Sequence, residues 1–393
     1  MSYTEKLLDR VPKNMQKVRR KSWKRNGFML KGKLAKHGYD WWWHSLVGTH
    51  ESTKEQRPFF VEYFIVNPLL GGDKPLLAQL PEVDRPSYGM LKAGSWGKDN
   101  ATQLHNFYPI AEVEAERKVM DVKIGPHKAT ETHLRGAVAV TPEEVASHPE
   151  WMTDAGSMSW DLKATKVLCY NVGYGAGQKM RALNAFQMYW HAQGQLTHYE
   201  GEIWYNGERY VVRPETSHGY QDKNWGLDFT NPWVWLNCNN FTSEEAGERQ
   251  HLTSLNIGGG RPVVFGKAFP RKFLVAFFHE GVLHEYNFSK FWDFPKQKFD
   301  VETTDSHVVW DVAAWKKDSK IEVQFQCPKD HMLLFNYENP AGEKKHDKLW
   351  NGGHAEGVVK FYQKKHGDYQ LIDTFHGSLG GCEYGEHSPV HSN

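Results

Sequence analysis

The chain has 393 residues, with 48 Lys and Arg against 47 Asp and Glu, so the broad basic footprint of a nucleic-acid binder is excluded. At this length two domains or one large domain are expected. Aromatic residues are abundant (16 Trp, 17 Tyr, 21 Phe) while the mean hydropathy is only −0.67, which suits alternating strands and ligand cavities rather than continuous apolar elements.

Residues 1–30 form a basic leader, in which nine of the first 25 side chains are Lys or Arg. It reads as a solvated segment or a helix packed outside the main body, with at most a weak contact to a membrane surface. The leader lacks the apolar core of a signal peptide, and no run in the chain nears the ~18 apolar residues of a membrane span. A cytoplasmic protein is expected, with Cys169, Cys238, Cys327 and Cys382 as reduced thiols because no C-x-x-C pair occurs.

YDWWWHSLVGTHESTKEQRPFFVEYFIVN (39–67) reads as two long strands around a charged loop. The Pro- and Gly-rich segment 67–98 reads as an elaborated loop, a lid or the arm of a homodimer. TPEEVASHPEW (141–151) predicts a short helix, with Thr141 as N-cap, Pro142 in the first turn and Glu144 three residues on. His127, Glu131 and His133 have ligand-like spacing but suit a polar strand face, so no metal is expected. NVGYGAGQ (171–178) does not open a helix within a βαβ unit, and no nucleotide is expected either.

Hairpin signals then dominate. Asn206-Gly207 separates EIWY from ERYVV, and Gly281 connects KFLVAFF to VLHEYNF. Residues 307–327 predict two more strands around Lys317-Asp318-Ser319. Gly352-Gly353 and Gly367-Asp368 read as turns near the end of the chain, and Gly258-Gly259-Gly260 as a barrel bend. Antiparallel strands without βαβ alternation point to an all-β fold of barrels or sandwiches with a few short helices. Two barrels fit the length, one over 31–212 and one over 213–393.

The run HGYQDKNWG (218–226) is the chemical centre of the sequence. If it is extended, Tyr220, Asp222 and Asn224 share one face and Lys223 points to the other. A carboxyl group set among Trp225, Trp233 and Trp235 is desolvated, which raises its pKa and keeps it a proton donor near neutral pH. Aromatic faces nearby stabilise a developing cation. The plain alternative is a Tyr–Asp–Asn network that satisfies buried polar groups. In FFVEYF (59–64), Phe60, Glu62 and Phe64 share one face and Val61 and Tyr63 the other. Glu62 is a second candidate acid or orienting base, and Phe60, Tyr63 and His44, with His50 more weakly, are candidates for the facing wall. His218 and Asn237 are candidates for orienting a ligand hydroxyl.

HGYQDKNWGLDFTNPWVWLNCNNF (218–241) resembles the G-Y-x-E-K-N-W-G…W-x-W signature of the tocopherol cyclase family, with Asp222 where the plant cyclases have Glu. NIGGGRP, FFHEGVLHEYNF and the tail from VQFQC through LWNGGHAEG resemble that family's later blocks. The D-x-x-W core is also similar to carotenoid 1,2-hydratases and related proteins with two lipocalin-like domains. The resemblance implies paired lipocalin-like antiparallel β-barrels and a cofactor-independent cyclase or isomerase. Asp222 is then the acid that protonates an alkene, and an internal phenol adds across it. Alkene hydration, double-bond isomerisation, closure of a flavonoid-like enone to a chromanone, and a non-catalytic carrier of hydrophobic molecules are the competing readings. A hydrophobic phenolic or prenylated small molecule is the expected ligand.

Overall fold

The computed structural model describes residues 1–172, 178–290, 295–343 and 349–386. Residues 173–177 of the glycine-rich run lie outside them. Among the described residues the strands form two twelve-stranded antiparallel sheets and one small hairpin.

The first sheet begins with β1 (Tyr39–His50), β2 (Gln56–Val66), β3 (Tyr88–Ser95), β4 (Thr102–Tyr108), β5 (Val113–Ala115) and β6 (Asp121–Ile124). It continues with β7 (His127–Thr130), β8 (His133–Val140), β9 (Gly156–Tyr170), β10 (Met188–Tyr205), β11 (Glu208–Val212) and β12 (Gly219–Gly226). Its order is β4-β3-β2-β1-β11-β10-β9-β8-β7-β6-β5, and β12 pairs with both β1 and β10. The sheet curls until β4 meets β8, where Asn106 Nδ2 donates to the Ala139 carbonyl at 3.3 Å.

The second half holds β13 (Trp233–Cys238), β14 (Phe241–Ser243), β15 (Arg249–Gln250), β16 (Ser254–Gly260) and the separate hairpin β17 (Val263–Val264) and β18 (Lys267–Ala268). Next come β19 (Lys272–His279), β20 (Val282–Asn287), β21 (Lys296–Thr303) and β22 (His307–Trp315). The last are β23 (Ser319–Pro328), β24 (Met332–Phe335), β25 (Leu349–Lys365) and β26 (Asp368–Gly385). The main path runs β20-β19-β16-β13-β26-β25-β23-β22-β21. Gln297 Nε2 brings β21 back to β19 by donating to the Phe273 carbonyl at 2.6 Å. The fold is therefore all-β and barrel-like twice over.

The Asn206-Gly207 turn has both residues at positive φ (49° and 86°), the geometry a tight primed hairpin demands. The Thr141/Glu144 capping box is present at the short helix Pro142–Ser147. Other expectations need correction. Gly352 and Gly353 lie inside β25, not at a turn, because a Cβ on Gly353 would sit 2.3 Å from the Trp96 ring. The segment 67–98 is not all loop: Tyr88–Ser95 is a strand, and Asn67 Nδ2 ties the preceding stretch to the Pro340 carbonyl at 2.8 Å. The boundary expected after residue 212 falls one strand early, since the hydrogen bonds of β12 place it in the first sheet.

The leader forms two helices, Tyr3–Arg10 and Lys13–Trp23. The first bridges the sheets: Tyr3 OH bonds His251 Nδ1 at 2.8 Å, Thr4 Oγ1 bonds His198 Nδ1 at 2.9 Å, and Leu7 is buried beneath them. No helix among the described residues is long and apolar enough to cross a membrane.

Three apolar layers result. Trp42, Tyr63, Leu91 and Trp225 fill the first barrel, and Leu236, Ile257, Trp310 and Phe325 fill the second. Between the sheets lies a third layer with Trp41, Trp43, Phe60, Trp190, Trp233 and Trp235. Each buried indole removes roughly 200 Å² from water, worth about 5 kcal/mol of transfer free energy before entropy is counted. β1, β2 and β12 are therefore buried on both faces, which is why their sequences mix charged and aromatic residues without a solvent face.

Candidate active site

A cavity of about 150 Å³ opens between the sheets. From the first sheet it is lined by Trp41, Trp43, Trp190, Asp222 and Asn224; from the second by Trp233, Trp235, Gly258, Leu274 and Glu383. Glycines of β16 and β26 make room for the cavity's rings. A Cβ on Gly258 would lie 2.6 Å from the Trp190 ring, and one on Gly381 would lie 2.4 Å from that of Trp235.

Tyr220, Asp222 and Asn224 share the face of β12 that meets the cavity layer. Asp222 Oδ2 accepts from Trp190 Nε1 at 2.6 Å and from Tyr220 OH at 2.8 Å. The Tyr220 hydroxyl in turn accepts from Trp235 Nε1 and Asn256 Nδ2, each at 3.3 Å. Asp222 Oδ1 is buried and has no hydrogen-bond partner, and the same holds for Asn224 Oδ1. Burial pushes the Asp222 carboxyl up to about 7, against the two donors, which favour the carboxylate. With Oδ2 occupied by two donors, a proton on this acid belongs on Oδ1.

Two further buried carboxyls flank it. Asp222, Trp43, Glu62 and Lys92 sit in one register row across β12, β1, β2 and β3, so Glu62 lies two strands, roughly 10 Å, from Asp222. Burial raises Glu62 to about 7, opposed by the Lys92 charge and the bond from Tyr337 OH at 3.1 Å. Lys92 Nζ rests 3.6 Å from the Phe335 ring centre, and burial lowers its pKa to about 8. Glu383 accepts from Trp233 Nε1 and Asn351 Nδ2, and burial lifts it to about 8. Glu62 does not line the cavity; it stands behind Trp43, and Phe60 stacks on that indole at 5.4 Å between ring centres.

Of the other residues expected near the site, Trp233 and Trp235 line the cavity. Trp225 does not: it faces into the first barrel and stacks on Tyr189 at 5.4 Å. Tyr63 lies in the same interior and donates to the Lys128 carbonyl at 3.2 Å. His44 is also there, bonded to Tyr199 OH at 2.8 Å, because β1 alternates and Trp41 and Trp43 stand on its other face. His50 pairs with Glu208 at 3.1 Å. His218 contacts Arg249 at 3.1 Å, and Asn237 donates to the Leu255 carbonyl at 2.8 Å; neither lines the cavity.

Sequence reasoning missed Trp190 and Glu383. Trp190 is reached through the β10–β12 pairing, in which it opposes Asn224, and Glu383 through β26, in which it opposes Trp235. No local signal marks either. His127, Glu131 and His133 take separate partners: Tyr108 OH at 2.8 Å, the buried Lys166 ammonium, and Asp161 at 2.7 Å.

Fold and site together define a two-barrel β-protein with an acid-bearing, indole-walled cavity between its sheets. The chain belongs to the tocopherol cyclase-like family, whose model matches residues 73–386. It is similar to a probable chloroplastic tocopherol cyclase of Oryza sativa subsp. japonica, 30% identical over 115 residues, which is 29% of this chain and 20% of that one. It is also similar to the chloroplastic tocopherol cyclase of Zea mays, 29% identical over 110 residues, 27% of this chain and 21% of that one. The matched stretch thus spans about a fifth of each curated relative. Among solved structures it is similar to kievitone hydratase from Nectria haematococca, with TM-score 0.39 and 12% identity, over 93% of this chain and 97% of that one.

Proposed function

We propose that the protein is a cofactor-independent cyclase that closes an ether ring by adding an internal phenol across an alkene. The observation that carries this reading is the Asp222 carboxyl, held near a pKa of 7 by burial, with Oδ1 unpartnered at a cavity walled by indoles. The Oδ1 proton is transferred to one alkene carbon, leaving the positive charge on the other. The faces of the tryptophans lining the cavity stabilise that cation. The phenol oxygen then forms the new C–O bond, and its proton returns to the Asp222 carboxylate, so product and substrate are isomers. Asn224 Oδ1 accepts a bond from the phenol O–H and orients it. The family and its chloroplastic tocopherol cyclases support a prenylated phenolic or quinol-type substrate. A polar head satisfies the orphaned oxygens, and an apolar tail suits the wall.

Purified protein incubated with prenylated hydroquinones, without cofactor, should give a product of unchanged mass that has lost one alkene. A product heavier by one water would make the site a hydratase, and ligand binding without any product would make the protein a carrier.

A further inference from the structure

The mouth of the cavity is lined by half-buried residues, among them Met188, Pro262, Val263 and Phe288. One rim of it is the β17–β18 hairpin. Phe265 N donates to the Ala185 carbonyl at 2.8 Å, and Gln187 N to that of Val263 at 3.0 Å, so the hairpin is fastened to the segment that enters β10. Its tip turns at Phe265 and Gly266, both at positive φ (47° and 78°). Phe265 is 64% exposed, Phe269 48%, and Leu183, just before the same segment, 67%. Single exposed apolar side chains are ordinary, whereas three on one rim of a ligand cavity mark an interaction surface.

The charges beside them have one sign. Residues 261–272 hold Arg261, Lys267, Arg271 and Lys272 and no acid. Arg261, Lys267 and Arg271 are exposed, and Arg271 pairs with Glu386 at 3.0 Å. An exposed aromatic side chain at the hairpin's tip, a second just past its base, and the cations of the same segment match the boundary of an anionic bilayer. Rings there sit among the headgroups while Lys and Arg meet phosphate.

We propose that this hairpin docks the protein on an anionic lipid surface and that the cavity loads from the bilayer. The docking stands on the hairpin itself; the loading rests on the ligand reading given above. The basic helix Lys13–Trp23, where the sequence suggested a membrane contact, is not on this rim.

The test is co-sedimentation of the full chain, without substrate, with vesicles of phosphatidylcholine alone or with a quarter phosphatidylglycerol. Binding is expected with phosphatidylglycerol, and the double change Phe265→Ser and Phe269→Ser, or Lys267→Glu alone, should weaken it by about tenfold or more. Thermal stabilisation by a prenylated phenol, measured in parallel, should be unchanged in both variants. Absence of vesicle binding by the unaltered chain that is still stabilised by ligand would overturn the docking and leave the cavity reading intact. Vesicle binding without ligand stabilisation would support the docking while removing the ligand reading. Loss confined to Lys17→Glu and Lys21→Glu would assign the contact to the leader and overturn the proposal. A dimer abolished by Phe265→Ser, with vesicle binding unaffected, would give the patch to a second copy of the chain and do the same.

Discussion

Asp40 and Asp222 lie on neighbouring strands, both buried and both beside tryptophan, but on opposite faces of the first sheet. Inside the barrel, Asp40 accepts from the Lys223 ammonium with one oxygen and from Met29 N, at 2.6 Å, with the other. Lys223 also sits 3.8 Å from the Trp42 ring centre. Each oxygen has a partner, Asp40 does not line the cavity, and the carboxyl is raised only to about 6. Between the sheets, Asp222 has no countercharge in contact among the described residues, one oxygen accepting two hydrogen bonds and the other none, and the cavity beside it. The same residue type in the same aromatic setting is a structural pair on one face and, in the proposed reaction, the proton donor on the other. The difference lies in the partner and the void, not in the acid.

The largest expected effect breaks the structural side. Lys223→Met strands a buried Asp40 and should cost about 3–5 kcal/mol of folding stability, read by denaturant or thermal unfolding. A loss no greater than that of an exposed lysine change would dissolve the contrast. Asp222→Asn should instead keep the fold and ligand binding while turnover drops by about 100-fold or more; near-normal turnover would take the acid role from Asp222. In the unaltered protein the donor must be protonated. Because its pKa is raised from 3.8 to about 7, turnover should be full in mild acid and decline as pH rises through about 7. A rate that climbs over that range would point to a base.

A finer test is Trp190→Phe. The indole N–H favours the carboxylate form, so its removal should raise the Asp222 pKa further and move the alkaline decline to higher pH, with a smaller loss of turnover than Asp222→Asn. An unmoved pH profile would show that the Trp190 bond does not tune the acid. The smallest expected effect is that of chelators and exhaustive dialysis, which should leave turnover unchanged. Loss restored by one divalent ion would return attention to His127, Glu131 and His133 despite their separate partners.

Much of the local architecture was legible because short-range chemistry dictates it. Asn-Gly at 206–207 can adopt paired positive φ, Thr141 and Glu144 cap one another, and period-2 alternation places Tyr220, Asp222 and Asn224 together. The same alternation also separates Lys223 from them, and the structure fills that side with Asp40. The glycines at 352–353 misled because a residue that permits a turn also permits a ring to lie against the backbone.

What the sequence by itself determined is a set of hairpins, the alternation of faces along β2 and β12, and the presence of an acid among aromatics. Only the tertiary structure decided which face is a packed barrel and which a cavity. Both faces of these strands are buried, so composition cannot tell them apart. That decision comes from packing one sheet on another. It brings Trp190 to Asp222 across 32 residues and Glu383 to Trp233 across 150, while excluding Trp225, Tyr63 and His44. Pairings over such separations arise from register and layer packing, which no local pattern encodes.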